Sequence, residues 1–328
     1  MASKPASEPS SNSIPGLPPA VLLTGPTAAG KTAAALMLAD ELPVALINVD
    51  SAQVYRGLDI GSAKPDPATL ARYPHALIDI RDPEQAYSAA EFASDCEAVM
   101  RQAWDQQRLP VLVGGTWLYL RAMLYGLDEM PAADPALRLR IAAEGESRGW
   151  EALHAELAER DPAAASRIAP ADRQRIQRAL ELIRLTGRGP SEFQRRNRLP
   201  RMATLRLVLT SGDRAVLHRR IDQRFRAMLD QGLIEEVQTL EGRPGLTAAH
   251  PSMRSVGYRQ VWQYLNGELD HARLVEAGVA ATRQLAKRQL TALRQLYGAL
   301  WYDPDRPSTM KSLRMRVARF HEMQTHTG

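Results

Sequence analysis

The segment AVLLTGPTAAGKTAAALMLADEL, residues 20–42, decides the fold, because a short apolar run enters a glycine-containing loop and a helix-forming run leaves it. The loop, residues 25–32, matches G-x-x-x-x-G-K-[ST] and ends in Lys31 and Thr32. Its glycines let backbone N–H groups converge on phosphate oxygens, while the helix N-terminus adds its dipole and Lys31 adds a charge. The pattern predicts a phosphate-binding loop with Thr32 placed for Mg²⁺, and it leaves open whether ATP or another diphosphate binds.

Further apolar runs alternate with helical patterns along the chain. One helix is expected to begin at Ser88, because Glu91 follows three residues later and completes a capping box. Strands that alternate with helices predict the α/β class, with a mostly parallel sheet covered by helices on both faces. The four strand candidates after the loop are PVALINVD (43–50), HALIDI (75–80), LPVLVGGT (109–116) and LRLVLTS (205–211).

The strand pattern is interrupted once, which predicts two domains. Residues 128–202 contain helical spacing but no convincing strand, so we interpret them as an all-helical insertion between core segments 20–127 and 203–303. Residues 1–19 are rich in Ser and Pro without a continuous apolar segment, which indicates a disordered tail rather than a secretory signal. Residues 304–328 are weakly patterned and are expected to form a C-terminal tail.

Composition excludes several classes of protein. The 328 residues are 45% hydrophobic, which is enough for a sizeable core, and no apolar run approaches the length of a membrane span. The single Cys96 excludes an intrachain disulfide and a multi-cysteine zinc site, and it fits a reducing cytoplasm. A net charge of +5 is weak evidence for nucleic-acid binding, because the distribution of charge decides that question.

Two polar residues close predicted strands and are candidates for the site. Asp50 ends INVD and Thr116 ends VLVGGT, and ligands of open α/β sheets bind at the carboxyl ends of strands. A kinase or ATPase usually has an Asp after a second apolar strand, but no acid follows VLVGG. Asp50 is equally compatible with a turn or cap residue and with a general base. For Thr116 alone, a helix cap is the favoured interpretation.

Arginines are concentrated in residues 172–206, whose only acids are Asp172, Glu181 and Glu192. Charged surface segments normally mix both signs, so this cluster favours contact with an anionic polymer. Its members are Arg173, Arg175, Arg178, Arg184, Arg188, Arg195, Arg196, Arg198, Arg201 and Arg206.

A second basic patch lies near the C-terminus, where no acid occurs between Glu276 and Asp303. On a helix, Arg283, Lys287 and Arg294 fall within about 40° of one another. The opposite side carries Leu285, Ala292, Leu293 and Leu296. This arrangement predicts a helix that packs on one side and offers positive charge to RNA on the other, although a membrane-surface helix is the competing interpretation.

Taken together, the motifs resemble the bacterial tRNA dimethylallyltransferases, also called tRNA isopentenyltransferases. The resemblance covers residues 20–303 and rests on GPTAAGKT (25–32), DSAQVYRGLDIGSAKP (50–65), VGGTWLY (113–119), RSVGYRQVWQYL (254–265) and TRQLAKRQLTALR (282–294). It implies a P-loop NTPase-like core with a helical insertion that binds tRNA. It also implies transfer of a dimethylallyl group from dimethylallyl diphosphate to N6 of the adenosine 3′-adjacent to the anticodon, assisted by Mg²⁺.

The resemblance also assigns residues. The diphosphate would be held by Gly25, Pro26, Thr27, Ala28, Ala29, Gly30, Lys31 and Thr32. Asp50 and Thr116 would be catalytic, with Asp50 as the general base. Contacts with the tRNA anticodon stem-loop are implied for Asp50, Ser51, Ala52, Gln53, Thr116, Arg138, Gln174, Arg175, Ile176, Gln177, Arg178, Arg254, Ser255, Val256, Gly257, Tyr258, Arg259, Lys287, Arg288, Gln289, Leu290, Thr291, Ala292, Leu293 and Arg294.

Three residues qualify this assignment. Arg224, on a predicted helix after the last strand, is a candidate for bidentate contact with the diphosphate, or else a surface arginine. Ser62 stands where the family often has Thr, and Ala292 where many members carry Trp; neither touches the expected chemistry.

The alternatives are a small-molecule or nucleotide kinase, a non-catalytic RNA-binding protein and an isopentenyltransferase acting on free AMP. A kinase explains the phosphate loop but not the missing acid or the basic helix, and the arginine-rich insertion argues against AMP as the acceptor. We expect a cytoplasmic monomer without membrane association and without ATP hydrolysis. The target adenosine is expected to be flipped out of its stack.

Overall fold

The computed structural model describes residues 16–128, 130–193 and 199–325. The chain forms two compact units, which we call the core unit and the helical unit. Of the described residues, those between 125 and 199 form the helical unit, and those up to Leu124 and from Pro200 onward form the core unit.

The core unit is built on one six-stranded sheet in which every neighbouring pair is parallel. The spatial order is β3-β2-β4-β1-β5-β6, so the strand that enters the phosphate loop is central. All residues of β1 are buried, as expected for a parallel strand covered on both faces. The strands are β1 (Ala20–Thr24), β2 (Val44–Val49), β3 (His75–Ala76), β4 (Leu109–Gly114), β5 (Thr204–Leu209) and β6 (Leu300–Tyr302).

The helices of the core unit are α1 (Lys31–Glu41), α2 (Pro67–Arg72), α3 (Ala89–Asp105), α4 (Trp117–Tyr125), α10 (Arg214–Asp230), α11 (Leu233–Glu241), α12 (Tyr258–Leu265), α13 (His271–Leu293) and α14 (Thr309–Thr325). The predicted capping box of α3 is confirmed, because Glu91 N donates to Ser88 Oγ and Ser88 N donates to the Glu91 carboxylate. The predicted mostly parallel α/β fold is confirmed as well.

The helical unit consists of α5 (Pro135–Arg148), α6 (Trp150–Arg160), α7 (Pro162–Ala165), α8 (Arg173–Thr186) and α9 (Pro190–Phe193). It has a hydrophobic core of its own, to which Ile141, Leu153, Leu157 and Ile176 contribute fully buried side chains. A separate core indicates that these residues pack as a unit rather than as a loop on the sheet.

Two strand predictions differ from the structure. HALIDI was expected to be a full strand, but only His75 and Ala76 pair with β2. The chain turns away because Leu77 and Asp79 have positive φ angles of 64° and 53°. The second difference is β6, which extends the sheet beside β5 and was not predicted, since three half-exposed residues give no apolar run.

The predicted C-terminal tail is wrong in part, because residues 309–325 form α14. Leu313 and Val317 are fully buried in the cluster that contains Val21 and Leu23 of β1. An i, i+4 pair of apolar residues is enough to seat a helix, but it was obscured in the sequence by the surrounding arginines. Within the predicted N-terminal tail, residues 1–15 lie outside the described part of the chain, while Leu17 is buried just before β1.

Across the three described ranges, no helix combines the length and the apolar character needed to cross a bilayer.

Because Leu313 is fully buried in the core cluster that includes β1 and α1, Leu313→Ala should lower the free energy of unfolding by about 2–5 kcal/mol. Urea denaturation measures this change. The matched control is Met315→Ala on the exposed side of α14, which should change the free energy by less than about 0.5 kcal/mol. Equal effects of the two substitutions would contradict the packing of α14 on the sheet.

Candidate active site

The phosphate loop connects β1 to α1 and is shaped by close backbone packing. A Cβ atom at Gly25 would overlap the carbonyl oxygen of Leu209 at the end of β5, so only glycine fits there. Gly30, immediately before α1, has a φ of 79°, in the left-handed region that favours glycine. The loop therefore begins and ends on glycines whose roles are dictated by the backbone.

Lys31 lies at the first position of α1 and folds over the loop. Its Nζ donates to the carbonyl oxygens of Gly25 at 3.1 Å and Pro26 at 2.7 Å. Burial lowers the pKa of Lys31 to about 8, while the Asp50 carboxylate opposes that shift and the Arg224 guanidinium adds to it. The ammonium is therefore desolvated and close to both a carboxylate and a second cation, an environment that an anionic ligand would stabilise.

Asp50 follows β2 and uses one carboxylate oxygen to hold a turn. Its Oδ1 accepts a hydrogen bond from Ala52 N at 2.9 Å. Within the described ranges, no hydrogen bond is formed by Oδ2 of Asp50, which leaves that oxygen able to accept a proton. The structure therefore supports the turn interpretation through Oδ1 and remains compatible with a general base through Oδ2.

Arg224, on α10, lies near the same carboxylate. Burial lowers the pKa of Arg224, and the charge of Asp50 opposes that shift. Arg224 is partly rather than fully exposed, which favours the anion-contact interpretation over a fully solvated arginine, and Lys31, Asp50 and Arg224 are close enough to interact electrostatically. A partly buried guanidinium that interacts with Lys31 of the phosphate loop is suited to anion binding.

Thr116 connects the ends of β4 and β2. Its Oγ1 accepts from Ser51 N at 3.0 Å and donates to Ser51 Oγ at 3.4 Å, and its own N–H donates to Val49 O at 3.2 Å. The hydroxyl thus binds the segment after Asp50 instead of a backbone N–H of α4, while the carbonyl oxygen of Thr116 accepts from Leu120 N at 3.2 Å, as expected of the residue that precedes a helix. The close strand approach also explains the glycine before it, because a Cβ at Gly114 would overlap Val49 O.

Gln289, on α13, reaches the phosphate loop. Its Oε1 accepts from Thr27 N at 2.9 Å, and its Nε2 donates to Gly115 O at 3.2 Å. These bonds join three segments that are far apart in sequence. Nothing in the sequence pattern around Gln289 indicated a contact with the loop.

The segment after Asp50 is held by two charged side chains that sequence analysis did not identify. The Glu236 carboxylate, on α11, accepts from the backbone N–H groups of Asp59 at 3.1 Å, Ile60 at 2.7 Å and Gly61 at 3.2 Å. Lys64 is almost fully buried and donates to the carboxylates of Asp59 and Asp79.

Tyr258, on α12, completes this arrangement. Its hydroxyl donates to Glu236 at 2.6 Å and accepts from Ser62 N at 3.1 Å. Gln53 Nε2 donates to the carbonyl oxygens of Ser62 and Ala63 at 3.1 and 3.2 Å, which ties the residues next to Asp50 to the same turn. The position of the Asp50 segment thus depends on α11 and α12.

Comparison with known proteins identifies the family. The family model described as IPP transferase matches residues 53–296, which is most of the chain. The chain belongs to the IPP transferase family. A tRNA dimethylallyltransferase of Thiobacillus denitrificans is 56% identical over 289 residues, covering 88% of this chain and 92% of the relative. Another, of Alkalilimnicola ehrlichii, is 54% identical over 309 residues, covering 93% and 96%.

Solved structures agree with this family and establish its fold. A tRNA isopentenylpyrophosphate transferase of Bacillus halodurans superposes with a TM-score of 0.69 at 34% identity, covering 94% of this chain and 98% of that one. A eukaryotic dimethylallyltransferase acting on tRNA superposes with a TM-score of 0.74 and 24% identity, covering 92% and 77%, which supports the fold alone. The fold is the P-loop NTPase-like fold of the IPP transferases.

The IPP transferase motif RSVGYR, residues 254–259, is divided between surface and core. Arg254 and Arg259 are exposed, whereas Tyr258 is fully buried and bonded to Glu236. The side chain of Tyr258, which was implied as a tRNA contact, instead holds the turn of residues 59–62 through Ser62 and Glu236.

The basic helix α13 has the predicted two-sided character. Arg283, Lys287, Arg288 and Arg294 are exposed, and none of the four forms an ion pair within the described ranges. On the packed side, Ala286, Leu293 and Leu296 are buried, and Leu285, Leu290 and Ala292 are partly buried. Leu293 is thus a core residue rather than an RNA contact, and the exposed cations form the surface that can receive a polyanion.

The helical unit holds the remaining predicted RNA contacts around a buried acid. Glu181, whose side chain is fully buried, accepts from Arg138 Nε at 2.9 Å, Arg178 Nη1 at 2.5 Å and Asp134 N at 2.8 Å. Desolvation opposes ionisation, but these bonds from Arg178, Asp134 and Arg138 together lower the pKa of Glu181.

Within the same segment of α8, Gln174 and Arg175 are exposed and Ile176 is buried. Gln177 Nε2 donates to Arg138 O at 2.7 Å. Arg138, Gln177 and Arg178 therefore have structural partners within the helical unit.

The arginine cluster of residues 172–206 is not one-signed in space, which corrects the sequence interpretation. Arg184 forms a bidentate pair with Glu144 at 2.7–2.8 Å and also contacts Glu156 at 3.0 Å. Arg173 pairs with Glu146 and Arg188 with Glu192. Acids of α5 and α6, which lie outside residues 172–206 in the sequence, thus pair with arginines of α8. Arg195, Arg196 and Arg198 lie outside the described residues.

The residues that are present suit a Mg²⁺ ion carried by phosphate better than one enclosed by protein. No group of three or more His, Cys, Asp or Glu side chains with ligand geometry occurs among the residues that the structure describes. Thr32, the second residue of α1, is exposed and carries a hydroxyl. Since Mg²⁺ commonly keeps several waters and takes one or two protein ligands plus phosphate oxygens, this donor set fits the ion.

Glu236→Gln should destabilise the protein by about 1–3 kcal/mol, because a side-chain amide would face backbone donors that now meet a carboxylate. Urea denaturation measures the change. Glu235→Gln is the matched control, since it removes the same charge from the same turn of α11 at an exposed side chain, and its effect should stay below about 1 kcal/mol. A Glu236→Gln effect no larger than that of the control would contradict the role of the carboxylate.

Proposed function

We propose that the protein transfers the dimethylallyl group of dimethylallyl diphosphate to N6 of the adenosine 3′-adjacent to the anticodon of tRNA, releasing diphosphate. Membership of the IPP transferase family supports prenyl transfer to tRNA. The observation that carries the proposal is the electrostatic cluster of Lys31, Asp50 and Arg224 beside the phosphate loop. In this cluster two cations can bind the departing diphosphate and one carboxylate can accept a proton.

Stabilisation of the leaving group is the first task of the site. As the allylic C–O bond breaks, negative charge grows on the diphosphate, and the loop N–H groups, Lys31 and Arg224 are placed to bind it. Both cations are partly desolvated, which strengthens their attraction for the growing charge. Lys31 would exchange its bonds to Gly25 O and Pro26 O for bonds to phosphate oxygens. When bound, Mg²⁺ would be held by Thr32 and would neutralise part of the diphosphate charge.

Activation of the acceptor is the second task. The N6 amine of adenine is a weak nucleophile because its lone pair is delocalised into the ring, so its attack depends on the electrophilic allylic carbon. Asp50 Oδ2 accepts the proton that the nitrogen loses when the C–N bond forms. Thr116 fixes the segment that follows Asp50 through Ser51, so the carboxylate is held in place.

Binding of tRNA is the third task, and the exposed cations of α13 support it. Arg283, Lys287, Arg288 and Arg294 present positive charge that is not neutralised by acids in the described ranges. Phosphate contacts of this kind position a nucleic acid without reading its sequence. The target adenosine would leave its stack at a cost of a few kcal/mol, which these contacts offset. That the protein is a cytoplasmic monomer stays a prediction.

A small-molecule or nucleotide kinase is the alternative, and it is not favoured. It accounts for the phosphate loop, but β4 ends at Gly114 and is followed by Gly115 and Thr116, without the acid that such enzymes place there.

The deciding assay incubates the protein with Mg²⁺ and labelled dimethylallyl diphosphate together with unmodified tRNA, with AMP, or with ATP and no prenyl donor. Label is expected in tRNA alone, without ATP hydrolysis. Asp50→Asn should lower turnover by about 10²–10⁴-fold, because the general base is lost, while tRNA affinity stays within about threefold. Label in AMP, hydrolysis of ATP, or near-normal turnover of Asp50→Asn would each refute part of the proposal.

Diphosphate binding should depend on the protonation of Lys31, whose pKa is about 8. The charged form prevails below that pH and binds the anion, so binding should raise the pKa, take up protons near pH 8–9 and weaken as the pH rises further. Calorimetry in buffers of different ionisation enthalpy measures the uptake. Lys31→Arg is the control, because a guanidinium stays charged throughout. Equal uptake by both proteins would contradict the shifted pKa.

A further inference from the structure

We infer that Gln289 is a positioning residue for the diphosphate site, which fixes the phosphate loop to the end of β4, rather than a direct contact to tRNA. This inference rests on the proposed function, since it names how that site is held ready for the diphosphate. Gln289 lies within the α13 segment whose exposed cations we assign to RNA binding, so its position in the sequence alone does not distinguish the two roles.

The two hydrogen bonds of the Gln289 side chain are complementary to its chemistry. The carbonyl oxygen accepts from Thr27 N at 2.9 Å, in the third position of the loop, and the amide nitrogen donates to Gly115 O at 3.2 Å. A carboxamide is one of the few side chains that presents an acceptor and a donor side by side. Both halves of the Gln289 amide are therefore occupied by the protein's own backbone.

The surroundings of Gly115 show how closely these segments approach. A Cβ atom at Gly115 would overlap Nε2 of Gln289 and would lie only 3.0 Å from Gly25 O. The first glycine of the loop, the strand end before Thr116 and the Gln289 amide thus meet at one point.

Burial along α13 separates Gln289 from its basic neighbours. Lys287 and Arg288 are exposed, whereas Gln289 is partly buried with its amide directed at the loop. An RNA backbone lying on the exposed cations would meet Lys287 and Arg288. A contact from Gln289 would require its amide to leave two backbone partners, and partly buried polar groups left without partners are costly.

The loop needs such support because its backbone is held in uncommon conformations. Ala28 has a φ of 62° and Gly30 a φ of 79°, on either side of Ala29. For a non-glycine residue, the left-handed region costs free energy that the surroundings must offset. The bond to Thr27 N fixes the residue before Ala28, so the loop is already ordered when the diphosphate arrives. A loop that must be ordered on binding would have a lower affinity.

The test measures binding of inorganic diphosphate with Mg²⁺ by calorimetry, in the absence of RNA, to the wild type and to Gln289→Met. Methionine keeps the length of the side chain and removes both hydrogen bonds. We expect affinity to fall about tenfold, which corresponds to about 1.4 kcal/mol. Affinity for an anticodon stem-loop RNA, measured separately, should stay within about twofold. Hydrogen exchange of the loop amides in the free protein should become faster in the variant.

Gln284→Met is the matched control, because Gln284 is an exposed glutamine on the same helix, and it should change none of the three measurements. Unchanged diphosphate affinity in Gln289→Met, with weakened RNA binding, would overturn the inference and establish Gln289 as an RNA contact. A tenfold loss in both variants would also overturn it, since any disturbance of α13 would then suffice.

The outcome is separable from that of the proposed function. If the wild type binds diphosphate but transfers no dimethylallyl group to tRNA, the proposed reaction is wrong while the comparison of Gln289→Met with wild type still decides the role of Gln289. If the wild type does not bind diphosphate at all, the loop has another ligand and both proposals fail.

Discussion

The parallel pairing of β2, β4 and β1 is the constraint on which the site depends. Parallel strands end at the same edge of a sheet, so the turn after β2, the glycine pair after β4 and the phosphate loop after β1 are neighbours without any direct sequence link. Gly114 has no room for a side chain against Val49 O, and Gly25 has none against Leu209 O. This close approach brings Asp50 and Lys31 into electrostatic contact. Every other feature of the site supports or extends this edge.

Sequence patterns correctly predicted the features that are determined by interactions between residues close together in the chain. The strand–loop–helix of residues 20–42, the capping box of Ser88 and the placement of Asp50 at a strand end are each set within a few residues. Features set by distant partners escaped prediction. β6 exists because β5 pairs with it, and α14 is seated by Leu313 against residues almost 300 positions earlier. A helix cap was the favoured interpretation of Thr116, and only the fold brings Ser51 within reach of its hydroxyl.

Counts of charged residues show where prediction from sequence fails and where it succeeds. The sequence count missed the acids that pair with Arg173 and Arg184, because Glu144, Glu146 and Glu156 lie in α5 and α6. On α13 the count was reliable, since the cations around Lys287 lie on the exposed side and no acid of the described ranges pairs with them. Counting charge along a sequence therefore works for a helix with one free side and fails within a small bundle. We therefore expect long-range attraction of a polyanion to come from α13 rather than from most of α8.

The charges of Lys31, Asp50 and Arg224 suit a diphosphate ligand. Burial lowers the pKa of both Lys31 and Arg224, so two partly desolvated cations are held at some cost in stability. Asp50 offsets part of that cost, and Lys31 also donates to Gly25 O and Pro26 O. A dianion or trianion offsets that cost, which favours a polyphosphate ester over a neutral ligand. The same cations reduce the repulsion between the carboxylate of Asp50 and the departing diphosphate. A base and a negatively charged leaving group can thus work in one small site, where without the cations each would oppose the charge of the other.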